Sequence, residues 1–129
     1  ARISQMMITG ERIPLVSPDM DLAGVVREMT DKGLGFTLVG TMGDVSGMIT
    51  DGDLRRLLLR HRNRLDGITA KDIMTPNPKR IDGTKLAIDA LDMMERHQIT
   101  SLVVTGVDGT CTGVIHLHDL LGRGRLSLR

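Results

Sequence analysis

Apolar positions along the chain alternate between two spacings. Leu22, Val25, Val26 and Met29 fall at i, i+3, i+4 and i+7, one face of a helix. Ala87, Ala90, Leu91 and Met94 form a second such stripe. Short apolar runs lie between the stripes and predict strands: Ile13 to Val16, Phe36 to Val39, Val45 to Ile49, Lys79 to Ile81, Ser101 to Thr105 and Cys111 to Ile115. Pro14 has no N–H to donate, so the first of these belongs at a sheet edge. Ser17-Pro18-Asp19 and Thr84 predict helix starts, and Gly33 or Gly35 the end of the first helix. Met42-Gly43-Asp44 and Asp108-Gly109 predict turns. Further helices are expected from Asp51 to near Arg60, from Ala70 to Met74 after a Thr69 cap, and from His116 to Leu121. Pro76 and Pro78 stop the second of these.

The chain repeats itself. Gly47-Met48-Ile49-Thr50-Asp51-Gly52-Asp53-Leu54 resembles Gly113-Val114-Ile115-His116-Leu117-His118-Asp119-Leu120. Upstream, Met29 to Val39 matches Met94 to Val104. Each copy reads β-α-β-β-α. Expected boundaries are 6–60 for the first copy, 61–68 for a linker and 69–124 for the second. Copies of about half a small domain are too small to bury a core alone, so the two are expected to pack together about a pseudo-twofold axis. The expected class is α/β (α+β).

A duplicated β-α-β-β-α unit ending Gly-apolar-apolar-Thr-x-x-Asp resembles a tandem pair of cystathionine-β-synthase (CBS) domains, over nearly the whole chain. Thr50-Asp51-Gly52-Asp53-Leu54-Arg55-Arg56, Asp72-Ile73-Met74-Thr75-Pro76, Ile99-Thr100-Ser101 and His116-Leu117-His118-Asp119-Leu120-Leu121 carry a closer likeness. They resemble the regulatory C-terminal part of bacterial arabinose 5-phosphate isomerases. The resemblance implies a sugar-isomerase domain N-terminal to Ala1, which would interconvert ribulose 5-phosphate and arabinose 5-phosphate. That reaction feeds synthesis of the octulosonic acid sugar (Kdo) of lipopolysaccharide. It also implies a cleft for adenosine or another nucleotide, and a homodimer of CBS pairs.

From the residues themselves, Thr50 caps the helix that begins at Asp51, and free N–H groups at such an end favour an anion. Asp53 offers acceptors for a ribose diol. Thr-x-x-Asp is equally a near capping box, which ends a helix with no ligand. By resemblance, Thr50 and Asp53 face Pro78, Lys79, Arg80 and Ile99-Thr100-Ser101 of the other copy, with Lys79 or Arg80 near a phosphate. A second cleft pairs His116, His118 and Asp119 with Ile13, Pro14 and Leu34-Gly35-Phe36-Thr37. His116 stands where the family has Ser or Thr, which favours the Thr50 cleft for the nucleotide.

Composition narrows the partners. Among 129 residues there are 17 Lys and Arg against 16 Asp and Glu, a net charge of +1, and one aromatic residue, Phe36. That excludes a global field for nucleic acid and the aromatic rows that grip single strands. No apolar run approaches the roughly 20 residues of a membrane span, and no signal peptide is evident. Cys111 is the lone cysteine, so no internal disulfide forms and a cytoplasmic setting is expected. His116 and His118 share a face if both lie in a strand, but no third metal ligand is evident, and polar cleft lining is preferred. Twelve positions from Asp51 falls on Arg62, not the Glu of a calcium loop. Arg55, Arg56, Arg60, Arg62 and Arg64 read as a solvated face or as contacts to a neighbouring domain or ligand. Gly33-Leu34-Gly35 and Gly122-Arg123-Gly124 do not extend to a dinucleotide or phosphate-loop motif. No catalytic constellation is present, and no cofactor is expected.

The expected function is therefore a non-catalytic regulatory module that senses a nucleotide or nucleotide sugar. Feedback logic favours cytidine monophosphate-linked Kdo (CMP-Kdo), the activated end product. AMP or ATP is the alternative, and a ligand-free dimerisation module, joined through Val25, Val26 and Met29 or Leu57 and Leu58, is the other.

Overall fold

In the computed structural model, which describes residues 1–121, Asp21 starts the first helix, with its side chain accepting the Gly24 N–H at 2.8 Å. This corrects the expected start at Ser17-Pro18-Asp19. The helix, α1 (Leu22–Lys32), ends at Gly33, whose φ of +70° is a left-handed conformation that glycine adopts without strain. Before it, only Leu15–Val16 forms strand β1; Ile13 and Pro14 precede it, and the Pro14 carbonyl accepts the Leu38 N–H. β2 (Phe36–Thr41) and β3 (Asp44–Thr50) form the expected hairpin, and α2 (Asp51–His61) follows directly. α3 (Ala70–Ile73) and β4 (Thr75–Pro76) come next.

Beyond these lie β5 (Arg80–Asp82), α4 (Ala87–His97), β6 (Ser101–Thr105), β7 (Cys111–His116) and α5 (Leu117–Leu121). Thr84 is not the cap of α4: its N–H and hydroxyl both bond Asp82, and the cap position is Leu86. Asp and Thr two apart close a local turn more readily than Thr84 can reach a helix that starts three residues on. The fold is mixed α and β, with two small sheets.

Two compact units result. The continuous unit is Glu11–Pro78. Its sheet has the order β1-β2-β3-β4, parallel between β1 and β2 and antiparallel elsewhere. Val16, Val25, Met29, Val39, Ile49, Leu57, Ala70 and Ile73 make its core. The split unit joins Ala1–Gly10 to residues 79–121, with sheet order β5-β6-β7. Its core includes Ile3, Met6, Ile81, Ala90, Met94, Leu102, Ile115 and Leu120.

The units thus cross the expected repeat boundaries. Residues 6–10 pack with the second copy and 69–78 with the first, while 122–124 lie outside the described residues. Each crossing segment covers a strand edge that would otherwise stay unpaired. β4 pairs with β3 (Gly47 opposite Pro76), and Ile8 exchanges both backbone hydrogen bonds with Val114 of β7. The repeat-related Gly47 and Gly113 explain how the segments come so close. A Cβ at Gly113 would stand 2.7 Å from the Ile8 carbonyl oxygen, and one at Gly47 would strike the Met74 side chain.

Candidate functional site

Thr50 ends β3 in extended geometry and caps α2. Its hydroxyl accepts the Asp53 N–H at 3.2 Å, and Asp53 Oδ2 accepts the Thr50 N–H at 2.9 Å and the Thr50 hydroxyl at 3.1 Å. This is a capping box. The two bonds to the carboxylate recur at Thr69 and Asp72, where they hold the Asp72 carboxyl below its usual range. The box alone is therefore helix chemistry, not a ligand signature.

What distinguishes Asp53 is its second oxygen. Oδ1 accepts from Arg56 at 2.8 Å and from the Thr75 hydroxyl at 3.3 Å, while the side chain is only 9% exposed. Thr75 stood in the Asp72–Pro76 likeness but was not expected at the site. It lies far along the chain, and only the pairing of β4 with β3 brings it to the head of α2.

His116 performs the Thr50 role at the head of α5. Its ring Nδ1 accepts the His118 N–H at 3.1 Å, and its own N–H donates to Asp119 Oδ2 at 2.9 Å. Burial pushes the imidazole below its ordinary pKa and the neighbouring His118 adds to this, against the pull of Asp119. A neutral ring is what an accepting Nδ1 requires. His118 lies on the helix rather than the strand, and the two rings meet edge to face at 4.7 Å. Among the described residues, no three of His, Cys, Asp and Glu stand together as a metal site. The Cys111 thiol is buried, donates to the Gly113 carbonyl and is pushed up by that burial.

Within each unit, the turn before the hairpin stands beside the head of the helix that follows it. Phe36 pairs with Thr50, and the Gly35 carbonyl accepts the Asp51 N–H, so the Leu34–Thr37 turn lies beside Thr50 in the same unit. Likewise Ser101 pairs with His116, and the Thr100 carbonyl accepts the Leu117 N–H. The reason is the hairpin: the strand leaving each turn is bonded to the strand entering the next helix. Ile13, Pro14 and Pro78 belong to the continuous unit, and Lys79 and Arg80 to the split unit. Ile13, Pro14, Phe36 and Thr37 are buried, so what their segments offer a ligand is backbone. Lys79, Arg80, Thr100 and His118 are exposed.

Each unit also has a hollow beside its own turn. In the continuous unit it measures about 290 Å³ and is lined by Val26, Met29, Gly35, Asp51 and Leu54, among others. In the split unit it measures about 730 Å³, with Leu91, Met94, Ile99 and Leu117 as floor and Asp89, Asp92 and Glu95 as rim. The three carboxylates of that rim repel a phosphate. No helix among the described residues is long and apolar enough to cross a membrane.

Comparison with known proteins adds the following. The model of the CBS domain matches residues 3–60 and again 70–125. Arabinose 5-phosphate isomerase KdsD of Francisella tularensis is 37% identical over 129 residues, 99% of this chain and 38% of that protein. The Yersinia pestis protein of the same name is 41% identical over 124 residues, 95% of this chain and 37% of that one. The chain thus spans well under half the length of these curated relatives. Among solved structures, CBSX2, a CBS-pair protein of Arabidopsis thaliana, in complex with AMP matches with a TM-score of 0.80 at 18% identity, over 99% of this chain and 98% of that one. The CBS domain of a bacterial CNNM/CorC family Mg2+ transporter in complex with ATP matches at 0.79 and 17%, over 93% of this chain and 84% of that one. Likeness at such identity establishes the fold.

Proposed function

Because this chain belongs to the CBS-domain family, as a tandem pair, we propose that it is the regulatory, effector-binding part of an arabinose 5-phosphate isomerase. The observation that carries this reading is 37% and 41% identity to two such isomerases over nearly all of this chain. The isomerase chemistry belongs to a separate, N-terminal domain of the same protein, and such an enzyme works in the cytoplasm, where sugar phosphates and nucleotides are made. This chain's own part is to bind an effector and transmit its presence.

A nucleotide is the effector class that best fits. Two neighbours in fold are complexes with AMP and ATP. In this chain Asp53 offers a carboxylate for a ribose diol, and the head of α2 offers a favourable dipole for a phosphate. Gly35, Phe36 and Thr37 supply backbone beside them. The specific effector we propose is CMP-Kdo. It carries a ribose diol, a phosphate and a carboxylate, and it is the activated product of the pathway such an isomerase opens. A thermal-shift panel of CMP-Kdo, CMP, AMP and ATP tests this: the effector raises the melting temperature as its concentration exceeds Kd, about 2.7 kcal/mol at a hundredfold excess. A shift with AMP or ATP and none with CMP-Kdo replaces end-product feedback with energy sensing. No shift with any of them removes the nucleotide.

An assembly role is favoured by a separate observation. Val26, Leu58 and Leu59 are 42%, 52% and 74% exposed on α1 and α2. Val25, Met29 and Leu57, also expected at such a contact, are buried and supply none of it. A homodimer through these exposed side chains is compatible with effector binding and is tested below.

A further inference from the structure

Asp53 carries four hydrogen bonds on two oxygens. Oδ2 accepts from the Thr50 N–H and hydroxyl, and Oδ1 from Arg56 and Thr75. An ionised carboxylate has about four lone-pair positions, so its complement is full. A ribose diol brings two more O–H donors and binds only by taking positions already in use.

The two oxygens are not equally exchangeable. The Oδ2 bonds belong to the capping box of α2, and giving them up leaves the Thr50 N–H without its partner. The Oδ1 partners have less to lose. Arg56 is 59% exposed and can turn to water. Thr75 is exposed and opens β4, a two-residue strand tied to β3 by the Gly47–Pro76 and Met48–Thr75 pairs, with the Asn77 N–H donating to the Ser46 carbonyl just beyond. At Pro78 the continuous unit ends, and the chain passes into the split unit.

We propose that Thr75 and Arg56 form a latch on Asp53. They occupy Oδ1, compete with the diol of the effector, and release β4 when the effector takes their place. Thr75 thereby sets effector affinity without itself binding the effector. It also makes the segment joining the two units the first part of the chain to register binding. This rests on the nucleotide reading of Asp53, and its test separates the two.

CMP and AMP are titrated calorimetrically into the wild-type chain, T75V, T75S and R56M, and exchange of the Asn77 amide is followed in the same proteins without nucleotide. T75V keeps the branched shape and loses only the hydroxyl, whereas T75S keeps the hydroxyl. T75V and R56M are expected to bind the nucleotide about threefold to tenfold more tightly, the worth of one competing hydrogen bond. T75S stays at the wild-type affinity, and Asn77 exchange quickens in T75V but not in T75S. Unchanged or weaker affinity in T75V, or unchanged Asn77 exchange, overturns the latch. If the wild type binds neither of these, and CMP-Kdo and ATP also give no heat, the nucleotide reading fails, and Asn77 exchange alone decides whether Thr75 holds β4.

Discussion

Replacing His116 by Thr should remove a pH dependence without removing a helix cap. The Nδ1 of His116 accepts the His118 N–H at 3.1 Å at the start of α5. Protonating that nitrogen sets a donor against a donor, and the bond is lost. The folded state holds the imidazole below its ordinary pKa, by burial first and by His118 second, so folding favours the neutral ring. The unfolded chain therefore binds more protons between the two pKa values. The His116 contribution is present in full above about pH 6.5 and is lost as pH falls through the lower folded value. Losing an N-cap costs about 1 kcal/mol, which for a chain of this size lowers the melting temperature by about 3–6 °C. A Thr hydroxyl accepts the same N–H at any pH. Thermal unfolding followed by circular dichroism from pH 5 to pH 8 should show the wild type losing stability relative to H116T toward the acid end. The interactions of the ring with His118 and Asp119 leave with it in H116T and are part of the measured difference. A wild-type-to-H116T difference that stays constant across this range refutes the reasoning.

Three further outcomes follow from the geometry. G113A should cost about 1–3 kcal/mol in urea unfolding, because its Cβ meets the Ile8 backbone oxygen. G47A should cost less, because Met74 Sδ and Cγ can swing away and only its Cβ, 2.9 Å off, must give; equal costs would contradict this account of the covered strand edges. E28Q should lose about 1 kcal/mol near neutral pH, since one Glu28 oxygen holds both the Leu15 N–H at 3.0 Å and Lys32 at 2.7 Å. Burial raises the pKa of Glu28, but its hydrogen bonds to Lys32 and Leu15 and the Lys32 charge outweigh this and hold it low. Its contribution is thus present above the ordinary Glu value and lost as pH falls through the depressed one, so E28Q and wild type should converge in acid. Finally, sedimentation of a V26E/L58E/L59E chain should show monomer where the wild type shows dimer; an unchanged dimer places its contacts elsewhere.

The hairpins, the two helix stripes and the duplication were legible because apolar spacing reports burial directly. Ala87, Ala90 and Met94 are buried where their period puts them, and β6 runs over Ser101–Thr105 as expected. Capping was less legible, because several residues compete for it. Asp21 takes the cap that Ser17-Pro18-Asp19 seemed to offer, and Asp82 captures Thr84 before α4 begins. Least legible was which copy's parts stand together. Spacing within a repeat cannot say that residues 1–10 join the second copy, with Ile8 bridging to Val114, or that β4 completes the first sheet. For the candidate site, Thr50 and Asp53 could be picked out as a motif. Thr75 stood in another motif, and its relation to Asp53 was not legible because it exists only through sheet pairing.

The central claim is that this CBS pair binds a nucleotide effector through Asp53. Calorimetric titration of CMP-Kdo, with AMP and ATP alongside, into the wild-type chain and into D53A tests it most directly, with circular dichroism establishing that D53A stays folded. The expected result is saturable heat with CMP-Kdo in the wild type and none in folded D53A. Equal heats in both proteins, or no heat from any of the three nucleotides in the wild type, would contradict it.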